Sequence, residues 1–105
     1  MTNRTELRDT LSVMMAEVRA LNYAKGWRLQ KTTFAEYIAL LHAEVSEMLE
    51  EWRKKNPDEL RLEYADVLIR LLDMAELFEI DLADAYCDKM EKNWKRPYLH
   101  GGKTI

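Results

Sequence analysis

Apolar residues recur every three or four positions through most of the chain, the period of a helix that buries one face. Leu7, Leu11, Met14, Met15, Val18 and Leu21 form such a stripe; it stops at Gly26 and predicts a helix from about Thr5 to Lys25. A second helix begins where Thr33 and Glu36 match a reciprocal capping box, the hydroxyl taking an orphan backbone N–H and the carboxylate reaching back to the cap. It is expected to run to about Lys55, where Asn56-Pro57 ends it and recaps a third helix with proline in a tolerated first-turn position. The third helix extends to about Phe78. Asp81 can cap a fourth ahead of Leu82, and Pro97 with Gly101-Gly102 leaves the end of the chain irregular.

The third helix is apolar around most of its circumference. Leu60, Val67, Leu71, Met74 and Phe78 share one side, while Leu62, Leu68, Ile69, Leu72 and Leu77 spread over the others. Such a helix needs cover on several sides, and in a four-helix chain the expected cover is a second subunit. The fold class is therefore all-α, a four-helix bundle completed by oligomerisation.

Composition supports this and narrows the function. The chain has 105 residues with 3 Gly and 2 Pro, too few turn residues for a many-stranded sandwich or barrel, and its length suits one domain spanning 1–105. No apolar run approaches a membrane span and Met1-Thr2-Asn3-Arg4 opens no signal-peptide stretch, so a cytoplasmic protein is expected. The single Cys87 can build neither an internal disulfide nor a thiolate metal site and reads as a buried helix residue. The net charge of -3 hides an asymmetry: residues 89–105 hold five basic residues and one acid, leaving 11 basic and 18 acidic residues before them. An acidic body carries a basic tail, about 96–105. A pI of about 5.4 disfavours nucleic acid as a partner, and no expected helix pairs a basic face with groove-reading polar residues.

The acids are placed unusually. On the second helix Glu44, Glu47 and Glu51 border the stripe of Phe34, Leu41, Met48 and Trp52, and on the third Glu63, Asp66 and Asp73 border Val67, Met74 and Phe78. Each helix thus carries an acidic pair three residues apart beside an apolar seam. If the seams pack across the Asn56-Pro57 turn, Glu44, Glu47, Glu63 and Asp66 converge, and four carboxylates that close resist ionising together. A hard divalent cation resolves that conflict, and oxygen-only ligation favours magnesium, with manganese as a substitute, over zinc. A di-iron site would need Glu-x-x-His pairs, whereas Ala39 and Pro97 stand three residues before His42 and His100.

Ala43-Glu44-Val45-Ser46-Glu47 followed, after fifteen residues, by Glu63-Tyr64-Ala65-Asp66 resembles the signature of the MazG-like, all-alpha nucleoside triphosphate pyrophosphatases. The likeness extends through Lys25-Gly26-Trp27, the segment Leu68-Ile69-Arg70-Leu71-Leu72-Asp73 and the ending Lys89-Met90-Glu91-Lys92-Asn93 to Arg96-Pro97-Tyr98-Leu99-His100-Gly101-Gly102-Lys103. Ala43 departs from the pattern, standing where the full motif has its first Glu. The resemblance implies magnesium-dependent hydrolysis of a nucleoside or deoxynucleoside triphosphate to monophosphate and pyrophosphate, by water attack at the α-phosphorus. It maps Glu44, Glu47, Glu63 and Asp66 onto metal ligands, with Glu47 and Glu63 as the catalytic carboxylates and Glu47 preferred as the acceptor of the water's proton. Lys89 and Asn93, four apart on one helix face, are assigned to triphosphate and sugar; Arg96 and Lys103 suit outer phosphates. Tyr98, His100 and Trp27 are candidate contacts to base or phosphate. Asp73 is expected to orient basic groups such as Arg70, and Lys92 and Lys95 to complement the helix dipole. The expected partners are the triphosphate and one or three further copies of the chain, without a membrane. The alternative is a non-catalytic helical module that binds nucleotide, RNA or protein, to which the missing acid at Ala43 gives support.

Overall fold

The computed structural model describes residues 1–27 and 32–98. Four helices account for most of them: α1 (Arg4–Ala24), α2 (Phe34–Arg53), α3 (Pro57–Leu77) and α4 (Leu82–Trp94). No strand occurs among the described residues. Each start is fixed by a side chain that accepts from an otherwise unpaired backbone N–H: Asn3 from Glu6, Thr33 from Glu36, Asn56 from Glu59 and Asp81 from Asp84. In the Thr33 box the Glu36 carboxylate accepts from the Thr33 hydroxyl at 3.0 Å.

The ends are equally specific. After α2, Lys55 N–H bonds Trp52 C=O and Asn56 N–H bonds Glu51 C=O; after α3, Glu79 and Ile80 make the same pair to Glu76 and Ala75. Both are Schellman turns, and both put a side-chain-bearing residue in the left-handed region, Lys55 at φ 56 and Glu79 at φ 57. Gly26, at φ 76 after α1, occupies the position where glycine is the unstrained choice.

Asn56-Pro57 folds α3 back along α2, so the start of one helix meets the end of the other. Phe34 and Tyr37 stack edge-on against Phe78, with centroids 5.0 and 5.9 Å away. α3 also packs against α1, through buried Val18, an Arg19–Glu76 ion pair and an Asn22–Asp73 hydrogen bond. α4 docks on α1, where Arg4 and Arg8 both reach Asp84, at 2.8 and 2.6 Å, and extend to Asp88 and Asp81.

Very little of this surface is sealed. Val18, Leu72, Met74, Ala75 and Ala83 are the buried apolar residues among those described, and Asp73 is buried with them. Leu62, Leu68, Ile69, Leu71 and Leu77 of α3 remain exposed, as the apolar circumference of that helix foreshadows. Cys87 departs from its expected burial and is only half-buried on α4.

Candidate metal and nucleotide site

Midway along the α2–α3 hairpin the two acidic borders face each other. Glu44 from α2 and Glu63 and Asp66 from α3 offer carboxylate oxygens that all lie within 4.8 Å of one another. The helical spacing of three between Glu63 and Asp66 points both side chains the same way, and the antiparallel register brings Glu44 opposite them. Glu47, exposed one turn further along α2, stands beside both Glu63 and Glu44.

Electrostatics mark Glu63 as the most frustrated member. Removal from water, a side-chain hydrogen bond shared with Glu47 and the nearby charges of Glu47, Asp66 and Glu44 push its carboxyl up to about 7. Its Oε2 is sealed from solvent without a hydrogen-bond donor. Glu44 is pushed up too, chiefly by burial and then by Glu47 and Asp66, while the Arg70 guanidinium works against them. Arg70 reaches Glu44 Oε1 from both Nε and Nη2 at 3.4 Å. A carboxylate oxygen without a donor, in an all-oxygen cluster that resists full ionisation, is what a hard divalent cation would satisfy.

A cavity of about 440 Å³ opens beside the cluster. Glu44 and Asp66 of the cluster line it together with Arg70, Asn22 of α1 and Asp73 of α3, and Trp27 and Tyr37 add aromatic surface. A family model described as the MazG nucleotide pyrophosphohydrolase domain matches residues 32–100, about two thirds of the chain and the whole of the carboxylate hairpin. The chain belongs to that family. Searches among curated proteins and among solved structures found no match.

The MazG match ends at residue 100 and begins after α1, so it spans the acidic cluster and α4 but not Asn22 or Trp27. Of the remaining expected site residues, Trp27 lines the cavity while more than half exposed. Lys89, Asn93, Arg96 and Tyr98 are exposed, on or just beyond α4, and none of them lines the cavity. His100 and Lys103 lie outside the described residues. Asp73, expected to orient basic groups such as Arg70, accepts from Asn22 Nδ2 at 2.9 Å, and Arg70 bonds Glu44. Asn22 carried no signal in the sequence, because an amide on a helix acquires meaning only from what packs opposite.

Proposed function

We propose that this MazG domain hydrolyses a nucleoside or deoxynucleoside triphosphate to its monophosphate and pyrophosphate, with magnesium held by Glu44, Glu47, Glu63 and Asp66 and manganese as a substitute. The observation that carries the reading is the convergence of Glu44, Glu63 and Asp66 with a sealed Glu63 oxygen that no donor satisfies. A divalent cation held by these carboxylates would neutralise phosphate oxygens and make a neighbouring water more acidic. Glu47, exposed beside Glu63, accepts the proton of the attacking water as its oxygen bonds to the α-phosphorus. The bond from the α-phosphorus to the oxygen bridging toward the β-phosphorus breaks, and pyrophosphate leaves with that oxygen. Glu63 acts with Glu47 in catalysis by sharing the site's charge. Arg70, which bonds Glu44 from both Nε and Nη2, carries a guanidinium that would serve as a forked donor for phosphate. Lys89, Asn93, Arg96, Tyr98, His100 and Lys103 are assigned to triphosphate, sugar and base, and Trp27 to the base.

The proposal covers residues 1–105 as one domain with a basic tail from about 96, acting in the cytoplasm as a homodimer or homotetramer. No described helix is long and apolar enough to cross a membrane. The test is a panel of nucleoside triphosphates with magnesium, followed by liquid chromatography. Monophosphate and pyrophosphate in equal amounts are expected, and none in chelator. Release of inorganic phosphate instead, or full activity in chelator, overturns the reading; a chain that binds nucleotide without turnover is the non-catalytic module.

A further inference from the structure

The two ends of α4 are held very differently. The helix packs on α1, has no comparable contact with α2 or α3, and buries a single residue, Ala83 in its first turn. From Asp88 to Tyr98 every residue is exposed. Among the described residues, the ion pairs that tie α4 to another helix all run to two side chains of α1, Arg4 and Arg8. Arg4 reaches Asp84 at 2.8 Å and Asp88 at 3.0 Å through its two terminal nitrogens, while Arg8 reaches Asp81 at 3.2 Å and the same Asp84 oxygen at 2.6 Å. Arg4 Nη1 also donates to the Asp84 backbone carbonyl at 3.2 Å. Two planar forks closed on one shared carboxylate fix how α4 is turned about its axis as well as where it lies. At about 100° per residue from Asp84, Asp88 stands at about 40°, while Lys89 and Asn93 stand at about 140° and about 180°. The clasp on α1 therefore aims Lys89 and Asn93 outward from the opposite side of α4. In turn α1 meets α3 through the Asn22–Asp73 bond and the Arg19–Glu76 pair, so the placement of α4 relative to the carboxylate hairpin is relayed through α1.

We propose that Arg4 and Arg8 are positioning residues: by gripping Asp81, Asp84 and Asp88 they hold α4 so that Lys89 and Asn93 meet the triphosphate. The identity of the ligand rests on the pyrophosphohydrolase reading; the orientation of α4 by the two arginines does not. Both arginines lie ahead of the matched family segment, which begins at residue 32. Partly exposed pairs of this kind add little to stability, so their loss should loosen α4 while the fold survives.

The test pairs an orientation measurement with a binding measurement, both on the full chain. Residual dipolar couplings of backbone amides, taken in a stretched gel, report the angle of α4 to the α2–α3 hairpin. In the wild type all four helices should fit one alignment. In Arg4→Gln/Arg8→Gln the couplings of α4 should shrink about twofold against those of the hairpin, with α4 still helical by its chemical shifts. Salt at about 1 M should do the same to the wild type, because it screens exposed pairs. Binding is followed by calorimetry, with magnesium and nucleoside triphosphate analogues that carry a methylene in place of the α–β bridging oxygen and are not cleaved there. Arg4→Gln/Arg8→Gln should weaken the best-bound analogue about tenfold and leave the magnesium-induced rise in Tm unchanged. Arg4→Lys/Arg8→Lys, which keeps the charges, should recover most of that loss. In a Lys89→Ala/Asn93→Ala background the glutamine pair should lower affinity no further, the non-additivity that marks residues acting through others. Unchanged α4 couplings in Arg4→Gln/Arg8→Gln, no analogue bound by the wild type, or an equal loss in the Lys89→Ala/Asn93→Ala background overturns the proposal, even where triphosphates are hydrolysed. If the variant folds poorly, wild-type couplings that salt leaves unchanged overturn it equally. Analogue binding that depends on the two arginines, without pyrophosphate release from ordinary triphosphates, keeps the positioning and discards the hydrolase.

Discussion

Glu63 pays in the metal-free protein for what it offers a cation. Its carboxyl is pushed up to about 7 in the folded chain from an ordinary value of 4.5, so the fold binds its proton more tightly than the unfolded chain does. The stabilisation that follows is fully present below about pH 4.5 and is lost as pH rises through about 7. In chelator the Tm of the wild type should therefore fall relative to Glu63→Gln across that window, and above it the variant should be as stable as the wild type or more so. Magnesium reverses the order, because a cation bound only by the folded state stabilises it by mass action and the variant has lost a ligand. The wild type should gain Tm with magnesium, Glu63→Gln much less, and turnover of the variant should drop by orders of magnitude. Glu50→Gln is the control, since exposed Glu50 sits 3.8 Å from Arg53 on the same helix and outside the cluster. Equal magnesium shifts in wild type and Glu63→Gln, measured by thermal melting, would make these acids ordinary surface. Lys89→Ala and Asn93→Ala should weaken substrate use yet leave magnesium binding intact by calorimetry, because both lie on α4 and away from the cavity wall.

At the scale of helices, the boundaries were legible because each is written in local chemistry: Thr33 with Glu36, Asn56-Pro57 and Asp81 start their helices where the sequence places them. The acidic hairpin was legible for a related reason. A three-residue connection leaves α2 and α3 few ways to meet, and the acids sit at fixed angles to the seam. Contacts between distant segments were not legible. Asn22 meets Asp73 across 51 positions and Arg4 meets Asp84 across 80, so neither pair leaves a local pattern. The left-handed residues also escaped notice, since glycine is the usual marker and the chain places Lys55 and Glu79 there. A left-handed conformation costs a side-chain-bearing residue roughly 1–2 kcal/mol, partly offset by the greater unfolded freedom of glycine. Lys55→Gly and Glu79→Gly should each raise stability by about 0.5–1 kcal/mol in urea titration, with the helices intact by circular dichroism. The Arg4, Arg8 and Asp84 ion pairs are partly exposed, so Asp84→Asn should lower Tm more at low salt than at high.

The molecule as a whole shows too much surface for its mass. A chain of 12.5 kDa exposes 8493 Å², against about 6,200 Å² expected of a compact monomer of that size. Its radius of gyration is 16.5 Å, where about 13 Å is usual. The surplus, about 2,300 Å² per chain, is more than the roughly 800 Å² that each partner buries in a standard interface. Its character fits as well: Val45, Leu49 and Trp52 recur at three- and four-residue intervals along α2, all at least 47% exposed. Leu68, Ile69 and Leu71 of α3 are exposed too. A single copy leaves these residues in water, and a second copy offers the same apolar surface in return, as a two-fold interface requires. Light scattering at micromolar concentration should give a dimer or tetramer mass, and Tm should rise with protein concentration because assembly favours the folded state. Placing charge on the stripe with Val45→Glu and Leu49→Glu together should reduce the mass toward that of one chain and remove the concentration dependence. A monomeric wild type would mean that the exposed stripe has no self-partner.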